Sequence, residues 1–167
     1  MTNADPFRPA DSIARKLACD LIEDATYGAL ATLRPDNGLP SVSRVALATD
    51  ETGHLITLIS TLADHTRALH SQPACALLIG EPSDTGDPLT HPRLTLHAAA
   101  KFITRDTAEH AKLRVRYLTL RPKAKLYVDF ADFGFVRFEI SDAVLNSGFG
   151  KAWRLAAADL GPDQRTT

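Results

Sequence analysis

Residues 28–60 read GALATLRPDNGLPSVSRVALATDETGHLITLIS. Three runs of small, β-branched and aliphatic residues, Gly28 to Arg34, Leu39 to Ala48 and His54 to Ser60, are separated by Pro35-Asp36-Asn37-Gly38 and Asp50-Glu51-Thr52-Gly53. Asn-Gly and Thr-Gly steps supply the backbone that tight hairpins need, so the stretch predicts a three-stranded antiparallel meander.

Working outward, Ile13, Leu17 and Leu21 recur every four residues after Asp11, with Ala14, Ala18 and Ile22 beside them, which predicts one amphipathic helix ending before Tyr27-Gly28. Beyond Ser60, Asp64 is placed to N-cap a short helix through Ser71, closed by Gln72-Pro73. Ala74 to Gly80 reads as a strand, Glu81 to Pro92 as a long exposed connection, and Arg93 to Thr104 as a strand again. Asp106 with Glu109 resembles a capping box for a helix through Leu120, and Pro122 opens a short helix ending near Asp129. The last strand runs from Phe133 to Leu145. Six strands grouped together, without βαβ alternation, predict a mainly β protein: a closed or half-closed antiparallel barrel with flanking helices. The expected division is a flexible arm over 1–10, one domain over 11–158 and a polar tail over 159–167.

At 167 residues and 44% hydrophobic content the chain suits one continuous core. Nineteen basic against twenty acidic residues give a net charge of −1, which argues against nucleic acid or an anionic membrane as partner, so any anion site must be local. The start has no signal-peptide pattern and no apolar run is long enough to span a bilayer, so a cytoplasmic location is expected. Cys19 and Cys75 are far apart and read as reduced packing residues; the six histidines lack metal-ligand spacing, so no metal is expected.

Chemistry concentrates in Ser60-Thr61-Leu62-Ala63-Asp64-His65-Thr66-Arg67. A strand end leading into a helix start offers unpaired N–H groups and a partial positive charge suited to a phosphate. Ser60 and Thr66 add hydroxyls, and Arg67 a guanidinium fork. The same residues also describe a plain helix capped by Asp64 with a solvated Arg67, and both readings stand at this point. Arg44 lies mid-strand among apolar neighbours; with its strand and His54 to Ser60 as hairpin partners, it is expected beside Ser60.

These landmarks resemble the flavin-mononucleotide-binding split barrels related to pyridoxamine 5′-phosphate oxidase, especially their haem-utilisation branch. The resemblance runs from Tyr27 to Gly150 through Ala29-Leu30-Ala31-Thr32-Leu33, Ser43-Arg44-Val45, Ile59-Ser60 with His65-Thr66-Arg67, Arg93-Leu94-Thr95-Leu96, Asp132-Phe133-Gly134-Phe135 and Gly148-Phe149-Gly150. It implies a six-stranded split β-barrel that forms a homodimer with the cofactor at the subunit interface. It further implies FMN as cofactor, with Arg44, Ser60, Thr66 and Arg67 on its phosphate, His65 adding a donor, Val45, Ala46 and Leu47 along its ring, and Arg93 reaching it from the other subunit. The implied activity is an FMN-dependent oxidoreductase acting on an unidentified small molecule by hydride or electron transfer at flavin N5; the alternative is a haem-binding, haem-utilisation protein on the same barrel. After Gly150 the sequence departs from the oxidase pattern, lacking its Trp- and Arg-bearing closing segment.

Overall fold

The computed structural model describes residues 6–161. Eight strands among them form one antiparallel sheet: β1 (Tyr27–Leu33), β2 (Pro40–Ala46), β3 (Ala48–Thr49), β4 (Leu55–Ser60), β5 (Ala74–Ile79), β6 (Arg93–Phe102), β7 (Phe133–Asn146) and β8 (Ala152–Ala156). Three helices flank it: α1 (Ser12–Asp24), α2 (Asp64–Ser71) and α3 (Ala108–Leu120). The strand order is β2-β1-β5-β6-β7-β4-β3, and β8 also pairs with β7. At opposite ends of that order, β2 and β3 are separated in the chain by Leu47 alone. The sheet must therefore curl until its two edges meet, which is the split barrel the sequence predicts.

The meander does not form as expected. Leu47 breaks the second run; only Ala48 and Thr49 pair with β4, opposite Ile56 and Leu55, while β4 takes its long partner from β7, from Ile56↔Arg137 to Ser60↔Phe133. A strand held between two neighbours and covered on both faces reads as an unbroken apolar run, and Leu55 to Ile59 are all buried. One face meets the barrel core of Leu30, Leu47, Leu77, Leu96, Phe138 and Leu145, closed by Ala14, Ala18 and Ile22 of α1 and Leu69 of α2. The other face, Ile56 and Leu58, joins Phe135, Leu113, Tyr117 and Val128 in a second cluster under α3.

Several boundaries move. The buried stripe of α1 is Ala14, Ala18, Cys19 and Ile22, and Ile13 is exposed, because the smaller residues let the helix lie close on the sheet. Capping α3 falls to Thr107, whose side chain accepts from the His110 N–H; Asp106, at φ 61°, makes the turn before it. The short helix opened by Pro122 is 3₁₀ and ends at Leu126, three residues before Asp129. β8, unforeseen, pairs Trp153 with Leu145 and buries Trp153 and Leu155. Asp159 and Leu160, expected in the tail, belong to the fold: Asp159 accepts from Arg15 at 2.7 Å and Leu160 is buried in the core. Arg8, expected in the flexible arm, donates its N–H to the Ala152 carbonyl at 2.8 Å.

The registers also define an outer face, opposite the core. One row crosses Arg44, Ala29, Leu78, Thr95, Val144 and Arg154; the next crosses Val42, Ala31, Ala76, His97, Asp142 and Ala156. Ala29 and Ala31 of β1 with Ala76 and Leu78 of β5 form an apolar patch on it, with Arg44 on one side and the His97–Asp142 ion pair on the other.

Candidate functional site

The segment after β4 turns through three residues into α2. Ala63, not Asp64, is the N-cap residue, and no side chain caps the helix. Asp64, the first residue of the helix, pairs with Arg67 three residues on, so its carboxylate makes no side-chain cap. The Thr66 and Arg67 N–H groups are bonded to the Ala63 carbonyl, whereas those of Asp64 and His65 have no acceptor among the described residues. An uncapped helix start of this kind attracts an oxyanion.

The expected hydroxyls do not join it. Ser60 Oγ donates to Asp132 Oδ2 at 2.6 Å and accepts from the Leu62 N–H at 3.1 Å; Thr66, buried, donates to the Ser60 carbonyl at 2.6 Å. Both shape the turn, and Asp132 places a carboxylate on the hydroxyl that sequence reasoning assigns to phosphate. His65 shares a 3.0 Å hydrogen bond between Nδ1 and Ser43 Oγ, and its Nε2 is buried without a partner. Burial lowers the His65 pKa, against a smaller opposing pull from Asp64, so the imidazole is neutral at pH 7. Its contribution to stability is complete above the ordinary value of 6.5 and is lost as pH falls from there toward the depressed folded value. A His65→Asn variant is therefore expected to flatten the decline of melting temperature as pH falls below the ordinary value of 6.5, measured beside the wild-type protein.

Arg44 lies elsewhere. Its register partner Ala29 points outward, so Arg44 faces the outer surface, with its guanidinium 5.3 Å from the Tyr27 ring centroid, while Ser43 points inward to His65. Adjacency to Ser60 fails because β2 pairs with β1 and not with β4. Arg93 shares the outer face with Thr95 and donates to the Leu89 carbonyl at 3.0 Å. Val45 and Leu47 are core residues; Ala46 alone of the three points outward, and its carbonyl accepts from Thr57 Oγ1 at 2.7 Å. The structure thus gathers Ser60, His65, Thr66 and Arg67 around one turn and leaves Arg44, Ala46 and Arg93 on the opposite face.

Beside the α2 start is a cavity of about 220 Å³ lined by Thr32, Arg34, Pro35, Asp36, Ser41, Asp64, Arg67 and Ala68. Thr32, Arg34 and Ser41 were not singled out by sequence reasoning. The available signal was Thr32 and Arg34 ending one strand immediately before the Pro-Asp-Asn-Gly turn, which returns the chain past the same point. Among the described residues no three His, Cys, Asp or Glu side chains gather as a metal site. No helix among them is long and apolar enough to cross a membrane. Neither Cys19 nor Cys75 forms a disulfide among the described residues, and burial pushes the Cys75 thiol up to about 11.

A sequence profile described as pyridoxamine 5′-phosphate oxidase matches residues 15–144, most of the barrel. The chain belongs to this family. It is 37% identical over 135 residues to the chloroplastic non-canonical heme oxygenase HOZ of Arabidopsis thaliana, covering 75% of this chain but only 40% of that protein. Among solved structures, a heme binding protein from Mycobacterium smegmatis superposes with a TM-score of 0.79 at 28% identity, over 92% of this chain and 60% of that one. A FAD-binding protein from Mesorhizobium loti shares the fold, with a TM-score of 0.60 at 14% identity over 81% of this chain and 94% of that one. The family thus includes flavin-binding and haem-binding members, and FMN and haem are both consistent with membership. As to fit, the α2 start suits the anionic arm of such a cofactor, while the Ser60 and Thr66 hydroxyls are engaged elsewhere.

Proposed function

We propose that this chain is a redox-cofactor-binding oxidoreductase that seats the phosphate of FMN at the start of α2 and works as a homodimer. The observation that carries this reading is the uncapped α2 terminus beside Arg67, with the two N–H groups of Asp64 and His65 still to be satisfied. When bound, flavin supplies hydride or electron transfer at N5. The chain's own part is to hold the anionic arm on backbone N–H groups and a guanidinium, and to orient the ring. What supports the dimer is the outer face: Ala29, Ala31, Ala76 and Leu78 form an apolar patch between Arg44 and the His97–Asp142 pair, a composition suited to packing against another sheet. Arg44 and Arg93 face that way, so either would reach a cofactor only across such an interface.

A second reading, haem, is favoured by the names of the Arabidopsis and Mycobacterium relatives. Haem propionates are also oxyanions and suit the same seat. The test is the absorption spectrum of the protein after separate incubation with FMN or haem and desalting. Retained yellow flavin supports the first reading and a Soret band the second; retention of neither overturns both. For FMN, Arg67→Ala is expected to weaken binding at least about tenfold while leaving riboflavin, which has no phosphate, unchanged. Size-exclusion chromatography with light scattering tests the dimer, and a monomer at every concentration removes it.

A further inference from the structure

We infer that the start of α3 carries a second ligand site, separate from the start of α2, which takes a small carboxylate between the His110 imidazole and the Arg105 guanidinium. A cavity of about 600 Å³ opens there, its wall including Arg105, Asp106, Thr107, His110, Arg114 and Asp129, and it shares no residue with the α2 turn. Its distinguishing member is His110, which is 8% exposed and whose ring makes no hydrogen bond among the described residues. Thr107 fixes the backbone beneath the ring: its hydroxyl accepts from the His110 N–H at 3.2 Å and donates to the Thr104 carbonyl at 2.8 Å. An imidazole always carries at least one N–H. Nε2 is sealed without a partner, and the ring centroid lies 5.3 Å from that of Phe135. Holding the proton on Nδ1 spares the sealed position an orphaned N–H, and Nδ1, which is not sealed in the same way, has the cavity to donate to. A donor that deep is costly unless something enters to accept it.

The charges around the ring select the class of ligand. Arg114 holds both oxygens of Asp129, at 2.8 and 2.6 Å, so that pair is satisfied within itself. Arg114 first, with smaller pulls from Arg105 and His110, keeps the Asp129 carboxyl below its ordinary 3.8 against desolvation, so the three basic groups converge on one part of the wall. Arg105 is half-buried, donates once to the Phe130 carbonyl at 2.9 Å and enters no ion pair among the described residues, which leaves its charge unmatched and further N–H groups to offer. The Ala108 and Glu109 N–H groups, the first of α3, have no acceptor among the described residues and add the partial positive charge of a helix start. One unmatched guanidinium and one imidazole donor suit a single negative charge. Asp106, exposed on the same wall, repels a second one, which favours a carboxylate over a phosphate dianion.

The probe is acetate, titrated at constant ionic strength into the wild-type chain and the Arg105→Gln variant, with inorganic phosphate titrated in parallel and thermal melts to verify folding. The readout is the pair of His110 imidazole nitrogen resonances, assigned through its backbone, which report a hydrogen bond at Nδ1 directly. Acetate is expected to move the Nδ1 resonance saturably, and Arg105→Gln to weaken that binding at least about tenfold. Phosphate is expected to bind more weakly than acetate, and Arg67→Ala to leave the acetate titration unchanged. A His110 resonance that does not move, or an acetate affinity that Arg105→Gln leaves intact, overturns the site; phosphate binding there more tightly than acetate overturns the carboxylate assignment. If acetate binds through Arg105 in a chain that retains neither FMN nor haem, this site stands and the α2 reading falls.

Discussion

Arg137→Leu is expected to lower stability by about 3 kcal/mol and the melting temperature by roughly 6–12 °C. Asp50 sits in the turn before β4 with its side chain 4% exposed. Its Oδ1 accepts from the Thr52 N–H, the Thr52 hydroxyl and the His54 N–H, whereas Oδ2 has Arg137 Nε at 2.9 Å. Removing the guanidinium strands Oδ2; three donors remain on Oδ1, which keeps the effect at the low end for a broken buried pair. Desolvation alone would raise the Asp50 pKa, but the bonds from Thr52, the His54 amide and Arg137 outweigh it and hold the carboxyl below its ordinary 3.8. The stability it contributes is therefore complete above pH 3.8 and lost as pH falls through the depressed folded value. Melting curves of the variant and wild type should converge below that pH, and Asp50→Asn added to Arg137→Leu should recover part of the loss at pH 7. A variant that melts within 2 °C of the wild type would show that the ion pair contributes nothing net.

The second large effect is at Gly80, which closes β5 at φ +92°. A Cβ there would lie 2.6 Å from the Pro92 carbonyl oxygen and 2.9 Å from Arg93 Cα, both main-chain atoms that cannot rotate away. Left-handed strain and this overlap together make Gly80→Ala destabilising by about 3 kcal/mol. Gly38, at φ +69° with nothing near its missing side chain, isolates the strain alone, so Gly38→Ala should lose only about 1 kcal/mol. Paired chemical denaturation measures the difference; equal losses would mean that the loop ending at Pro92 moves aside freely.

What could be read in advance divides by distance along the chain. Alternation in Ala29 to Leu33 and the Asn-Gly turn are local, and they specified β1, β2 and their pairing. The joining of β4 to β7 is not local: nothing in His54 to Ser60 names Phe133 to Arg137 as its neighbour, and Arg44 was misplaced for that reason. The unbroken apolar run of β4 matches its burial on both faces, whereas β8 was not anticipated, although Trp153 and Leu155 alternate after a Gly-rich turn. At the site, the helix start was legible because caps and helix termini are local. That Ser60 belongs to Asp132 and that Arg34 shares a cavity with Arg67 required the fold.

The pairing of β4 also carries a consequence for biosynthesis. Its partner β7 lies more than seventy residues downstream, from Ser60 to Phe133. At about 5–20 residues per second, the ribosome leaves the run Leu-Ile-Thr-Leu-Ile without its long neighbour for several seconds. A β-prone apolar edge held open for that interval is the segment of the nascent chain most exposed to misassociation with other unfinished chains.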